Sequence, residues 1–323
     1  MNGHYEGLEP PPFIWNQVRD RPEKVHEWIR PVSGKKTEDA DAVLYGVPLS
    51  RSSISASAAS LFPEACRRAW RGFTTYNIDE DVDVNRLTVY DLGDVKQHVT
   101  DISRCHKNIT SAAKSVAETH PSSVAVAIGG DHSITAMIVK GIKAASPELS
   151  IGIVQLDTHF DLRDMKELGP ANGTPIRNII ESGLVKGEHI HTIGLHGFYN
   201  TPDLKKYADT NGIHYTTLKQ ARKNGVAETV AKALKDLSER VDRVYFTCDM
   251  DVLDMAYAPG VPASTPGGMR TDELFDSALV CGQNPNVMAM DIVCLDPDKD
   301  VSGMTVKAGT HVMMSFLTGV AMR

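Results

Sequence analysis

A chain of 323 residues, 41% apolar and 23% charged, is long enough to bury a large core and has the balance of an ordinary globular protein. Its formal net charge of -7 offers no basic face to nucleic acid or to an anionic membrane, and its apolar runs are strand-sized, which argues against a membrane span. The start of the chain lacks the basic and apolar regions of a secretion signal. Five cysteines (Cys66, Cys105, Cys248, Cys281, Cys294), odd in number and without a C-x-x-C pair, suit a reducing cytoplasm, the expected location.

Residues 1–41 read as a polar arm, stiffened by Pro10, Pro11 and Pro12, with a short helix expected over 23–29 and packing on the surface rather than folding alone. From residue 42 onward strand-like and helical runs alternate. Strands are expected over 42–47, 87–92, 123–128, 151–156, 191–195, 243–247 and 287–295. Helices are expected over 63–71, 103–119, 133–145, 175–182, 202–210, 225–240, 271–281 and 305–321. Such alternation predicts an α/β fold, a doubly wound parallel sheet with helices on both faces. No long linker, low-complexity tract or repeat divides the chain, so 1–323 is expected to be a single domain.

In open parallel sheets chemistry collects beyond the C-terminal ends of the strands, and three of the expected strands end in metal-ligand residues. The run 151–156 leads into Asp157-Thr158-His159-Phe160-Asp161, where an extended backbone would send Asp157, His159 and Asp161 to one side. The run 123–128 leads into Gly129-Gly130-Asp131-His132-Ser133, in which the glycines permit a tight turn and Ser133 is a candidate helix cap. The run 243–247 leads into Cys248-Asp249-Met250-Asp251-Val252-Leu253-Asp254, with Asp249 and Asp251 again two apart. Singly, these features have ordinary readings: a polar loop, a structural histidine, a capping aspartate. Their agreement in position favours another. Crowded carboxylates repel as bare anions, and a divalent cation holds them together. Asp157, Asp161, Asp249, Asp251, His132 and His159 are too many ligands for one catalytic zinc and suit two manganese ions. Neither a G-x-G-x-x-G after a strand nor a phosphate-binding G-x-x-x-x-G-K-[ST] occurs, so nucleotide binding has no support.

These three motifs, with Ala258-Pro259-Gly260 behind the last, resemble the metal motifs of the ureohydrolase family of arginases, agmatinases and formimidoylglutamases. The similarity extends from Gly46-Val47-Pro48 and Phe62-Pro63-Glu64-Ala65 to the last helix. The resemblance implies a three-layer α/β/α fold around a central, mainly parallel eight-stranded sheet, two Mn2+ per chain, and a homo-oligomer, either trimer or hexamer. It places His132 and Asp161 on one ion, His159 and Asp251 on the other, with Asp157 and Asp249 bridging. It further implies attack by a metal-bridging hydroxide on a guanidinium or formimidoyl carbon, Asp161 passing a proton to the leaving amine.

Departures from the family pattern bear on the substrate. Where arginases and agmatinases carry His-Gly-x-Pro, this chain has Asn172-Gly173-Thr174-Pro175, and asparagine can orient a substrate but cannot titrate. Cys294 stands where guanidino hydrolases carry a glutamate that holds the cation. It reads equally as small buried filling, and nearby carboxylates would disfavour its thiolate. Arg163 falls on the substrate-facing side just after the last ligand, or else forms a surface ion pair. Arg177 could meet a distal carboxylate or cap its helix, and His196 could reach the site or be structural. Asp131, Asp254 and Asp291 are expected to orient ligands or backbone. Asn-Gly-Thr-Pro with Asp-Leu-Arg resembles the formimidoylglutamase branch, so the expected substrate is a small acidic amidine, N-formimidoyl-L-glutamate, cleaved to L-glutamate and formamide. The rival readings are an agmatinase or other guanidino-acid hydrolase, and a non-catalytic metal-binding member of the family.

Overall fold

In the computed structural model, which describes residues 5–15, 18–32 and 40–323, the β-branched and aliphatic runs form a ten-stranded sheet. Its body is eight parallel strands: β1 (Ala42–Gly46), β2 (Val89–Val95), β3 (Val124–Ile128), β4 (Ile151–Leu156), β5 (Ile190–Leu195), β6 (His214–Thr217), β7 (Arg243–Asp249) and β8 (Val287–Val293). They lie side by side as β2-β1-β3-β8-β7-β4-β5-β6. Two short strands, Leu8–Glu9 antiparallel and Arg30–Pro31 parallel, extend the sheet beyond β2. Every residue of β1 and β4 is buried, as expected for strands covered on both faces. The strand missing from the sequence reading, β6, is His-Tyr-Thr-Thr at the sheet edge, half-exposed and without an apolar run to reveal it.

Among the described residues, nine longer helices flank the sheet: α1 (Phe62–Ala69), α2 (Ile102–Thr119), α3 (Ser133–Ala145), α4 (Pro175–Glu181), α5 (Pro202–Thr210), α6 (Leu218–Asn224), α7 (Val226–Ser238), α8 (Thr271–Gln283) and α9 (Met304–Ala321). α2 packs along α3 and α3 against α4, while α7, α8, α9 and α1 pack in succession. The result is the expected three-layer α/β/α arrangement, with a mainly parallel central sheet. Among the described residues, no helix is long and apolar enough to cross a membrane.

The N-terminal segment differs from the expected surface arm. Residues 1–4, 16–17 and 33–39 of it lie outside the described residues. Elsewhere it is built into the sheet edge: Val25, Trp28 and Ile29 are buried. Their i, i+3, i+4 spacing makes one apolar stripe on the short helix Val25–Trp28. Trp28 Nε1 donates to the Leu87 carbonyl (2.9 Å), and Trp15 Nε1 donates to that of Arg67 (2.6 Å).

Arg67 itself fastens α1 to β2. Fully buried, it donates Nε and Nη2 to the two oxygens of Asp91 (2.7 and 2.9 Å) and Nη1 to Asp94 (2.7 Å). Losing one partner of such a set leaves uncompensated buried charge, at a cost of about 3–5 kcal/mol. Arg67→Met is therefore expected to lose that much unfolding free energy in urea. A loss under about 1 kcal/mol, typical of an exposed ion pair, would show that the two carboxylates find other solvation.

Candidate metal centre

Strand register brings the chemistry together. β4 and β7 are neighbours with Leu156 opposite Cys248, so the next residue on each, Asp157 and Asp249, stand side by side, about 4.8 Å apart along the sheet. On the other side of β7, Asp249 pairs with Val293 of β8, and β8 in turn borders β3. After β3 the chain turns through Gly129 and Gly130, at φ +82° and +98°. A side chain at Gly130 would lie 2.6 Å from the Val47 carbonyl oxygen. The turn delivers His132 to the start of α3. Ser133 is not the cap it was expected to be, its hydroxyl lying 3.1 Å from His106 Nε2. Asp131 does that work instead, accepting from Ser133 N (3.1 Å) and Ser52 N (3.0 Å).

The extended course expected through Asp161 is also not what forms. Asp161 lies at φ +54° and reaches the cluster because the chain turns left-handed there. Such a conformation costs a non-glycine residue about 1–3 kcal/mol, and aspartate tolerates it better than most.

All six expected ligands converge, in two groups. His132, Asp157, Asp161 and Asp249 form one, fully buried, and Asp157, His159 and Asp251 form the other. In the first, His132 Nδ1 lies 2.7 Å from Asp161 Oδ2, 3.1 Å from Asp249 Oδ2 and 3.3 Å from Asp157 Oδ2. In the second, His159 Nδ1 lies 3.0 Å from Asp251 Oδ2 and 3.5 Å from Asp157 Oδ1. Asp157 thus belongs to both groups. Asp249 belongs to the first, its other oxygen accepting from Asp251 N (2.8 Å).

The tautomer of His132 follows from its backing. Thr247 Oγ1 donates to Asp291 (2.6 Å) and so must accept from His132 Nε2 (2.9 Å), which leaves Nδ1 facing the carboxylates. Asp291, which also accepts from Thr135 and Tyr245, is the outer acceptor that orients this imidazole through Thr247. His132 Nδ1 and Asp161 Oδ2 are buried without a hydrogen-bond partner although close together. The surroundings strain every protonation state. Burial alone would lower His132 and His159, yet the charges of Asp161 and Asp251 carry the first well above its usual value and the second up to about 12. Burial, with the charge of a neighbouring aspartate, pushes Asp161 and Asp249 up to about 7 and Asp251 up to about 6. Asp157, between the two imidazoles, is held below the usual range despite its burial.

Divalent cations resolve this conflict. Cis ligands of a six-coordinate ion with bonds near 2.1 Å are about 3 Å apart, close to the spacing of these donor atoms. The oxygen-rich set with one imidazole per group suits manganese better than a softer ion. The residues present therefore fit a pair of such ions.

The pocket over the cluster is lined by His159, Asp161, Asp249 and Asp251 together with Ile54, Ser55, Arg163, Asn172, Gly173, Tyr199, Asn200, Leu204 and Ala263. Arg163 is exposed, and among the described residues no carboxylate lies within ion-pair distance of it, so the surface ion pair does not form. Asn172 Oδ1 accepts from Ile54 N (2.8 Å). Arg177 is not brought to the pocket: its guanidinium is paired with Glu181 (2.7 Å) and Asp164 (3.3 Å) over the ring of Tyr207. His196 is turned aside as well, bonded to the Gly194 carbonyl and Thr265 in a neighbouring cavity. Cys294, buried in a left-handed conformation at φ +63°, does not line the pocket but lies against Asp249. Burial, then the charges of Asp249 and Asp251, raise its thiol pKa well above the ordinary value. Asp254 braces its own loop, accepting from Ala256 N and Gly267 N. Sequence reading missed Tyr199 and Asn200; their position just past the end of β5 was the available signal.

Residues 40–319 match the model of the arginase family, and the chain belongs to that family. It is a hydrolase. A formimidoylglutamase of Halalkalibacterium halodurans is 38% identical over 95% of this chain and 94% of its own length. The crystal structure of formimidoylglutamase from Bacillus subtilis superposes with a TM-score of 0.88 at 34% identity, covering 94% of each chain. That of Trypanosoma cruzi formiminoglutamase with Mn2+2 shares the fold at a TM-score of 0.84, with 23% identity over 94% of this chain and all of that one.

Because burial and mutual charge favour protonated forms at the two imidazoles and at the raised carboxyls, a cation must displace protons, and its affinity should fall as the pH falls. One proton leaving a group with a pKa of about 7, as at Asp161 or Asp249, accounts for about tenfold between pH 8 and pH 6, and the raised imidazoles of His132 and His159 add their own protons, so the loss should be at least about tenfold. Titration of the metal-free protein with Mn2+, followed by electron paramagnetic resonance at both pH values, measures this. Equal affinities would mean that neither the imidazoles nor the carboxyls give up a proton to the ion.

Proposed function

We propose that this chain hydrolyses N-formimidoyl-L-glutamate to L-glutamate and formamide, with two Mn2+ held by the buried cluster. The observation that carries the substrate is Arg163, an exposed guanidinium without an acidic partner among the described residues, on the rim of the pocket over the six cluster side chains. A planar fork of donors binds a carboxylate bidentately, and the proposed substrate brings two carboxylates. The similarity to formimidoylglutamases over nearly the whole chain supports the same reading.

In this reading His132 and Asp161 would hold one ion and His159 and Asp251 the other, with Asp157, which belongs to both groups, and Asp249, as the family pattern implies, available to either. When bound, the ions would supply Lewis acidity and lower the pKa of water near neutrality. The remaining roles belong to side chains. With Oδ2 facing His132 Nδ1 (2.7 Å), Asp161 takes up at Oδ1 the proton given up by the attacking water and releases it to the leaving amine. Asn172, with Oδ1 committed to Ile54 N, keeps its amide hydrogens for the substrate. Because it cannot titrate, it orients without shuttling protons. Cys294, buried and off the pocket lining, puts no carboxylate at that position to grip a guanidinium cation. A cytoplasmic location, a single functional unit over 1–323 and a trimeric or hexameric assembly complete the proposal.

Loss of one charge-assisted hydrogen bond is worth roughly 1.5–3 kcal/mol, or about tenfold to a hundredfold and more in rate. Arg163→Leu should therefore lose that factor in kcat/KM for formimidoylglutamate while its manganese content stays unchanged. Wild type should release formamide from formimidoylglutamate far faster than urea from agmatine. Unimpaired turnover by Arg163→Leu, or a preference for agmatine, would reject the substrate and leave the hydrolase.

A further inference from the structure

The two halves of the metal centre are held by different means. His132 is buried and its ring is oriented by the Thr247–Asp291 pair. His159 has no such support: its side chain is 24% exposed, and among the described residues no protein atom hydrogen-bonds its Nε2. Its position depends on its backbone. Asn200 Oδ1 accepts from Phe160 N (2.9 Å) and Asn200 Nδ2 donates to the Thr158 carbonyl (2.9 Å), so one side chain grips the peptide groups on both flanks of His159. The ring of the adjacent Tyr199 meets that of His159 edge-on at 6.1 Å.

Both ends of this grip are themselves anchored. Asn200 follows the end of β5 and precedes Thr201, whose side chain accepts from Leu204 N and caps α5. Thr158, on the other side, donates N to Asp251 Oδ1 (3.2 Å) and Oγ1 to the Asp251 carbonyl (2.8 Å). His159 and Asp251 are thus both tied, through Thr158, to Asn200. Asp161 has its own anchor, its carbonyl accepting from Arg177 N (3.3 Å).

We propose that Asn200 is a positioning residue for the second half of the centre: it sets the affinity of the Asp157, His159 and Asp251 group for its divalent ion without touching the ion. An amide suits the task because one donor and one acceptor are needed at once. Aspartate would keep the bond from Phe160 N but set a carboxylate against the Thr158 carbonyl, and leucine would lose both bonds. The proposal rests on the metal reading of the cluster and is independent of the substrate.

The test is Mn2+ binding to chelator-treated wild type, Asn200→Leu and Asn200→Asp at pH 8, by equilibrium dialysis with elemental analysis. Wild type should take up two ions. Outer residues that orient ligands are typically worth 10–100-fold in metal affinity, so each variant should bind one ion as wild type does and the other about 10–100-fold more weakly. The melting temperature of the metal-free variants should stay close to that of wild type. If Asn200→Leu fails to fold, Asn200→Asp alone decides. Two ions bound with wild-type affinity, or both weakened equally, would overturn the role of Asn200. Fewer than two ions in wild type would overturn the metal reading together with it.

Discussion

Negative charge is concentrated at one place in this molecule because of strand register. Pairing Leu156 with Cys248 makes Asp157 and Asp249 neighbours at the ends of adjacent parallel strands, and no rotamer change moves them far apart while β4 and β7 stay paired. Asp161 and Asp251 then arrive from the loops beyond the same strands. The apolar sheet provides the rigidity, and burial of the carboxylates provides the demand for a counter-charge. Much of the remaining architecture follows from that demand: the glycine turn that delivers His132, the hydroxyl and carboxylate behind its ring, and the left-handed residue that returns Asp161 to the cluster.

The parts of this design that follow from side-chain periodicity were legible in the sequence. Largely apolar, β-branched and aromatic runs such as 151–156 and 243–247 could be assigned to buried strands, and the aspartates and histidines at their ends could be grouped because parallel strands present their C-terminal ends together. β6 escaped because His214–Thr217 carries no apolar signal and owes its place to pairing with β5. The N-terminal segment escaped for a different reason. Its apolar stripe at Val25, Trp28 and Ile29 is visible in the sequence, but the prolines and charges around it suggested a surface arm.

Around the site, side-chain chemistry was a good guide to which residues matter and a poor guide to what each one touches. Arg177 and His196 have the chemistry to meet a substrate, yet local partners engage them first: Glu181 one helical turn from Arg177, and Thr265 from a distant loop beside His196. Asn200 presents the opposite case. Nothing in Tyr-Asn-Thr-Pro suggests more than a helix start, and its grip on residues 158 and 160 exists only because the β5 loop folds over the β4 loop.

In the proposed reading, the guanidinium of Arg163, without an acidic partner among the described residues, also matters for encounter kinetics. A chain with a formal net charge of -7 repels anions at long range, so for a substrate carrying two carboxylates the general field slows approach rather than steering it. At physiological ionic strength that field fades over about 8 Å. In that reading, discrimination between an acidic amidine and a cationic guanidine is therefore not made in diffusion. It would be made in the last few ångströms, where Arg163, unpaired among the described residues, faces the incoming ligand and the charge of the rest of the surface is screened.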